Sequence, residues 1–588
     1  MNIENIKDTL KKAYEFHKSN KLEEAEKIYR QILEIDPNNF GSNYLLGSLF
    51  AQTKNLQEAK KLLQKALQID PNYADAHYNL GNVLNELEEI KEAAICFEKS
   101  ISINPKNTDA HINLGNLLKK IGKIDEAENL YKKAIKINPN SINAYNNLGT
   151  IFQEDENFEE AIKFYKKTIE IEPTFASAYN NLGLVSHAIE EHQNAINYYE
   201  KAIKLKPDYA TAHSNLGKLY KELGNFKKTI ICFENTIKHN PTDLVALFYL
   251  SEFKSEILNS DLKKSILNII DNKNCTKINL AYGNFLLSLY EFTNKNHEKE
   301  IEYLLKGHDY YFDTQKEEFK IPIDYWAKIP FEIHQLISAK NFNKTANEKN
   351  KEIKPIFIVG LPRCGSTLVE KVIASGKKYI PTGEETAIFH SVVKNMINKN
   401  LSPSLDFNDI EKKVLEKYNQ KRLINTNNDY TFTDKSLENA FYLQLIKEIF
   451  PNAKIIYCKR NSLSSIISIL KNNMVKISWA HSLDNIFEYF NIFYKAIDIF
   501  KNNNPDFIYD LDYEKFVTDP ELESKKLLNF CNLSWDKSCL EFYKRKELIS
   551  STASNIQIRE AINKNAINKY LPYKDFLINY KNKYPWFH

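Results

Sequence analysis

The chain is 588 residues long, enough for more than one domain, and its 43% apolar and 27% charged residues are those of an ordinary globular protein. Its 80 basic and 76 acidic side chains leave a formal charge of +4, which gives no electrostatic case for a nucleic-acid or anionic-membrane protein, so any basic site must be local. The opening MNIENIKDTLKKAYEF lacks an apolar signal core, no run of 18 apolar residues occurs, and the 7 cysteines form no C-x2-C pair, so the expectation is a cytoplasmic protein with reduced thiols and no membrane span.

The first 250 residues are periodic. Prolines at 37, 71, 105, 139, 173, 207 and 241 and glycines at 47, 81, 115, 149, 183 and 217 each recur every 34 residues, the period of tetratricopeptide repeats. Within a unit, as from Ala144 to Pro173, two stretches with helical apolar spacing flank a short polar turn; the glycine lets the paired helices approach and the proline closes the second. One pair cannot bury its apolar face, so the units must stack into a superhelix with a concave groove. Asparagines just before the repeat glycine (Asn79, Asn113, Asn147, Asn181, Asn215) either line that groove and hydrogen-bond an extended protein or peptide partner, or are solvated and support turns.

After Leu244 the period fades. Ala281 to Tyr311 still reads as a helical hairpin, a degenerate repeat acting as a cap with a polar outer face, and residues 339–353 read as a linker. The expected domains are a repeat array over 1–257, the degenerate repeat and linker over 258–353, and a catalytic domain over 354–588.

Beyond Lys354, apolar runs at 356–360, 430–433, 454–458 and 507–511 alternate with helical segments, which predicts a parallel sheet covered by helices, with ligands at the carboxyl ends of the strands. The fold class is therefore an all-α repeat superhelix followed by an α/β domain of P-loop-like type. The first strand runs into Gly360-Leu361-Pro362-Arg363-Cys364-Gly365-Ser366-Thr367, which keeps the G-x4-G spacing of a phosphate loop but has Ser366 where the lysine belongs. Backbone N–H groups with Arg363, Ser366 and Thr367 can still cradle an anion, and without the γ-phosphate clamp a single 5′-phosphate suits the loop better than a triphosphate. His390 and His481 read as helix-face residues.

At these residues the chain resembles the sulfotransferases that use 3′-phosphoadenosine 5′-phosphosulfate (PAPS), and more closely their tetratricopeptide-containing branch and the protein-tyrosine sulfotransferases. The ordered blocks are PRCGSTL at 362–368, GEET at 383–386, TDK at 433–435, FPNAKIIYCKR at 450–460, DYEKFV at 512–517 and TASNIQIREAI at 552–562. The resemblance implies that Arg363, Cys364, Gly365, Ser366 and Thr367 hold the 5′-phosphosulfate and that Arg460 with Ser468 holds the 3′-phosphate. It further implies that Lys435 and Arg363 stabilise the transferring group and that Glu385, with Glu384 as rival, is the base. Ser551, Thr552, Ser554 and Lys569 resemble the segment that closes over the nucleotide. Sulfuryl transfer moves a group of one negative charge, so cationic side chains suffice and no metal is expected. The acceptor stays open: a hydroxyl on a protein or peptide presented by the repeats, or a glycan, lipid or small hydroxyl compound, with a non-enzymatic scaffold as the remaining alternative.

Overall fold

The computed structural model describes residues 3–314, 326–330, 333, 352–397, 407–421, 423–424, 430–474, 477–545, 559–565, 567–580, 583–584 and 586–587. Two compact units divide the chain, Met1–Leu216 and Gly217–His588.

The first unit is an array of paired helices with the expected period. In the pair Ile142–Glu154 and Phe158–Ile171, the second helix begins on an acidic turn and buries Ala161, Tyr165 and Thr168 at helical spacing. The repeat glycine is required by the ring that lies on it, since a Cβ at Gly149 would stand 2.6 Å from Tyr165. Between paired helices the chain passes through a left-handed residue, and this too recurs every 34 positions: Asn20, Lys54, Glu88, Glu156 and Glu190 have φ between +57° and +64°, and Gly122 takes the equivalent place.

The repeat asparagines direct their amide donors at the preceding repeat. Asn79 donates to Ser48 Oγ (2.9 Å), Asn113 to Asn82 Oδ1 (2.8 Å), Asn147 to Asn116 Oδ1 (2.7 Å), Asn181 to Asn146 Oδ1 (3.1 Å) and Asn215 to Asn180 Oδ1 (3.0 Å). They tie neighbouring units together. A recess of about 750 Å³ nearby is lined by Tyr44, Tyr78, Asn79, Asp109 and Phe175.

In the second unit the last repeat helices precede a hairpin of Lys277–Thr293 and His297–Thr314 and then a parallel sheet. Its strands are β1 (Ile356–Gly360), β2 (Thr382–Glu384), β3 (Thr433–Lys435), β4 (Lys454–Lys459) and β5 (Ile508–Asp512), in the order β2-β3-β1-β4-β5. Side chains alternate as the pleat demands: Phe357, Val359, Ile455 and Tyr457 join one core, and Ile356, Ile358, Ile456 and Cys458 join the other. The chain leaves β1 toward β2 on one side, while β4 and β5 follow on the other. That change of direction opens a crevice between the carboxyl ends of β1 and β4, where Gly360 pairs with Cys458.

Three expectations need correcting. The run at 430–433 lies along β1, with Lys354 N–H donating to Tyr430 O at 3.0 Å and Ile356 N–H to Phe432 O at 2.8 Å, but the ladder itself runs over Thr433–Lys435. β2 was not anticipated, because Thr-Gly-Glu has no β-branched run and forms only by pairing at the sheet edge. The hairpin is more than a terminal cap: its second helix exposes Glu298, Lys299, Glu302 and Lys306, but Tyr282, Phe285, Leu286, Leu287, Leu304 and Tyr311 are buried in one core with Phe357 and Val359. Its first helix is apolar around most of its circumference, and such a helix must be covered. The expected linker lies largely outside the described residues.

A histidine pair marks that junction. His308 Nε2 is 2.8 Å from Leu470 O, so its Nδ1 accepts from His481 Nδ1 at 2.9 Å. Burial pushes them down to about 4 and about 3, which keeps both neutral. His481 lies on the buried face of a short 3-10 helix, Ser478–His481. Among the described residues, no helix is long and apolar enough to cross a membrane.

Candidate active site

Beyond β1 the chain turns through Arg363 (φ +67°) and Gly365 (φ +97°), and the helix Ser366–Ala374 begins. Gly365 is required twice, by its left-handed backbone and because any Cβ would collide with the Tyr513 ring. The first N–H groups of that helix have no partner within it, which together with the helix dipole makes the turn an anion site.

Two arginines meet at this turn. Arg363 Nε donates to Ser468 Oγ at 3.0 Å, and Arg460 Nη1 donates to the Arg363 carbonyl oxygen. The Arg460 guanidinium lies 4.7 Å from the centre of the Tyr513 ring, which orients it. Asn461 caps the helix Ser462–Lys471 by accepting from Ser464 N–H at 2.9 Å, so Ser468 projects from the second turn of a fixed helix. Burial and the adjacent Arg460 charge pull the Arg363 guanidinium down to about 10, still cationic at neutral pH.

A cavity of about 760 Å³ opens onto these groups, with Arg363, Gly365, Arg460, Ser468, Lys471 and Lys569 in its lining. Lys569 is exposed. The Cys364 side chain is elsewhere: it is buried beneath the turn, where a Cβ on Gly360 would collide with its sulfur, and its N–H donates to Leu361 O at 3.1 Å. A hydrogen bond from Cys458, which outweighs burial with help from Ser366, draws its thiol below the usual range. Ser551, Thr552 and Ser554 lie outside the described residues.

A second group gathers where β2 and β3 end. Lys435 Nζ is 3.0 Å from Glu384 Oε1, 3.3 Å from Glu385 Oε1 and 3.1 Å from Thr367 Oγ1, which links the cluster to the phosphate turn. Burial opposes charge on Lys435, but the carboxylates of Glu384, Glu385 and Glu370 outweigh it and hold the ammonium above its ordinary range. The two candidate bases are not equivalent. Glu384 has a side-chain exposure of 9% and lies between two ammonium groups, Lys435 and Lys371, the latter at 3.4 Å. Glu385 has an exposure of 37%, contacts Lys435, and is pushed up by partial burial against that charge. Its backbone is strained, with φ +52°, and its N–H donates to Lys435 O at 3.1 Å.

Sequence reasoning missed three members. Glu370 and Lys371 are fully buried behind the turn; Lys371 reaches Glu384, and Glu370 accepts from Thr433 Oγ1 at 2.8 Å. The signal was a charged pair inside the otherwise apolar LVEKVIA. Glu438 follows Lys435 by one turn and leaves Oε2 buried without a hydrogen-bond partner among the described residues; burial, then the Glu385 charge, raises it to about 7. Asp434 accepts from Tyr418, from Thr386 Oγ1 (2.7 Å), from Ser436 Oγ (2.8 Å) and from Asn439 Nδ2 (2.8 Å), which fixes the GEET turn to β3. His390 packs beside Trp326, 5.0 Å between ring centres, and its Nδ1 is 3.0 Å from Tyr442 OH. Among the described residues, no group of three His, Cys, Asp or Glu is arranged to hold a metal.

A parallel α/β sheet with an anion turn behind its central strand, carried after helical repeats, defines a phosphate-turn domain on a repeat scaffold. Residues 355–537 match the model of the sulfotransferase family, and tetratricopeptide-repeat models match segments between residues 16 and 243. The chain therefore carries tetratricopeptide repeats followed by a domain that matches the sulfotransferase family. It is similar to an uncharacterized protein of Aquifex aeolicus (strain VF5), 29% identical over 318 residues, which are 50% of this chain and 40% of that protein; the chain thus spans two fifths of that relative's length. Among solved structures it resembles MamA (27% identity, TM-score 0.27, 30% of this chain and 98% of that one). It also resembles YrrB, a TPR protein with an unusual peptide-binding site (27%, 0.27, 31% and 95%), and a tetratricopeptide repeat protein from Parabacteroides merdae (18%, 0.37, 42% and 98%).

Proposed function

We propose that the protein transfers a sulfuryl group from PAPS to an acceptor hydroxyl. The observation that carries this reading is the convergence of Arg363, Arg460 and Ser468 on one cavity at the crevice between β1 and β4. Arg460 and Ser468 bind the 3′-phosphate, which separates this donor from ordinary adenine nucleotides, and the turn Arg363–Thr367 binds the 5′-phosphosulfate through charge-assisted hydrogen bonds. Cys364 contributes to that turn only through the backbone.

The acceptor oxygen attacks sulfur in line with the bridging oxygen of the 5′-phosphate. A new S–O bond forms, the bond between sulfur and the bridging oxygen breaks, and the acceptor proton passes to Glu385; the products are a sulfate ester and adenosine 3′,5′-bisphosphate. Lys435, one residue contact from the turn through Thr367, stabilises the charge that builds on the leaving oxygen, and Arg363 neutralises the moving group. Glu385 is preferred to Glu384 as base because its carboxyl reaches solvent and its raised proton affinity suits a base, whereas Glu384 is held between two ammonium groups.

Titration with adenosine 3′,5′-bisphosphate tests the donor site. Binding at micromolar concentration, with Arg460→Ala losing the preference for this ligand over adenosine monophosphate by about 10- to 100-fold, is expected. No binding by the wild-type protein overturns the reading.

For the acceptor, a protein or peptide held in the repeat groove is favoured by the aromatic recess at Tyr44, Tyr78 and Phe175. The ladder asparagines, engaged with neighbouring repeats, favour a second reading in which the hydroxyl belongs to a glycan, lipid or small molecule and the repeats serve assembly. Tyr44→Ala with Tyr78→Ala discriminates, since a raised KM for a peptide acceptor supports the first and an unchanged KM the second.

A further inference from the structure

The cavity at the phosphate turn has two unlike halves. One carries Arg363, Arg460 and Lys569; the other is formed by Phe285, Leu289 and Phe292 from the first helix of the hairpin. We propose that this worn repeat is the base pocket of the nucleotide site, that the adenine lies on the ring of Phe292, and that Asn473 reads its edge. The inference rests on the nucleotide reading above.

Spacing supports it. Lys471 follows Ser468 by one turn of the same helix, and residues so related stand about 5–6 Å apart. Its ammonium is 4.2 Å from the centre of the Phe292 ring and 4.6 Å from that of Tyr573. Phe292 is therefore one side-chain step beyond the 3′-phosphate position. In a nucleoside 3′-phosphate the base and the phosphate oxygen sit on ribose carbons separated by one carbon, so the two groups must be received at neighbouring places.

The wall is rigid. Glu300, fully buried on the second helix of the hairpin, accepts from Lys471 at 2.7 Å and from Tyr573 OH at 2.8 Å, and its Oε2 is 2.9 Å from His297 Nδ1. Glu300 thus compensates Lys471, leaving Arg460 as the cation for the 3′-phosphate. Phe292, at 48%, is the most exposed large apolar residue of the hairpin, and an open aromatic face beside a cationic pocket suits a stacked base.

Asn473 adds an independent observation. It lines the same cavity, is 7% exposed, and neither its Nδ2 nor its Oδ1 has a hydrogen-bond partner among the described residues. Buried amides are rarely left so. A paired donor and acceptor matches the N7 edge of adenine, with its amino donor beside a ring-nitrogen acceptor, whereas the same edge of guanine presents two acceptors.

Calorimetry on the full chain tests the proposal, with adenosine 3′,5′-bisphosphate, its guanosine counterpart, and the base-free 1-deoxyribose 3,5-bisphosphate. Phe292→Ala should weaken the adenosine ligand by about 5- to 100-fold and leave the base-free ligand unchanged. Asn473→Ala should shrink the preference for adenosine over guanosine. Wild-type binding to the adenosine ligand that Phe292→Ala leaves intact overturns this inference alone, and so does an equal loss for both ligands, which signals a structural defect; Phe292→Leu, which keeps an apolar contact with Lys471, should reproduce the loss of base-dependent affinity. A wild-type protein that binds none of the ligands overturns the nucleotide reading as well.

Discussion

At the carboxyl ends of one sheet, two clusters of charge are kept in different ways. In the cavity, Arg363 and Arg460 stand together and bond to neutral oxygens, Ser468 Oγ and a backbone carbonyl. In the cluster beside it, Lys435 and Lys371 are set among Glu370, Glu384 and Glu385, and the ammonium groups are answered by protein carboxylates before any ligand arrives. In the proposed function the first arrangement binds the donor, and the second positions the reacting groups and takes the proton where Glu385 meets solvent. Removing a charge should therefore have different consequences on the two sides.

The largest effect is expected in turnover. Glu385→Gln should lower sulfuryl transfer by about 100- to 10,000-fold with little change in affinity for adenosine 3′,5′-bisphosphate. In the wild type, the ionised carboxyl is the active form and partial burial raises its proton affinity, so the rate should climb with pH through a midpoint above the ordinary glutamate value. An acid limb that Glu385→Gln leaves unchanged would assign the base elsewhere.

Next comes stability. Lys371→Met leaves Glu370 and Glu384 with one cation fewer inside the protein, and a loss of about 3–5 kcal/mol is expected in urea unfolding. Arg460→Ala, which removes a guanidinium bonded to the Arg363 carbonyl oxygen, should cost far less by the same measurement. Comparable losses would erase the distinction between the two clusters.

Glu438 gives a smaller and pH-dependent effect. Its folded form holds the proton up to about 7, above the unfolded value, so ionisation weakens the fold as pH rises through that range. Glu438→Gln should match the wild type at pH 4 and exceed it by about 2–3 kcal/mol at pH 8. Smallest of all is the response to salt. A tenfold rise in ionic strength should weaken nucleotide affinity in the open cavity while hardly moving the midpoint of unfolding, since buried pairs are poorly screened.

How much of this was legible follows from distance along the chain. The array repeats its instructions every 34 residues, and Gly149 beneath Tyr165 can be read from either residue. The left-handed turns were not read, because glutamate and lysine fill most of those places. In the sheet domain, PRCGSTL, GEET, TDK and the eight-residue interval from Arg460 to Ser468 were visible because each is local, and the structure brings them to neighbouring strand ends. Glu370 and Lys371 were not, since nothing nearby in sequence says that Glu384 will meet them. Phe292 was hidden by a stronger cue: a fading repeat reads as the end of an array, whereas its apolar helix is part of the next core.

That shared core has a practical consequence for anyone cutting this protein apart. A fragment starting where the family match starts, at residue 355, would leave behind Phe285, Leu304, Tyr311 and Trp326 and bare the face of Phe441 and Phe493 to water. Such a piece should aggregate, and the smallest self-sufficient fragment should instead begin near Gly217, carrying the final repeats with it as integral masonry.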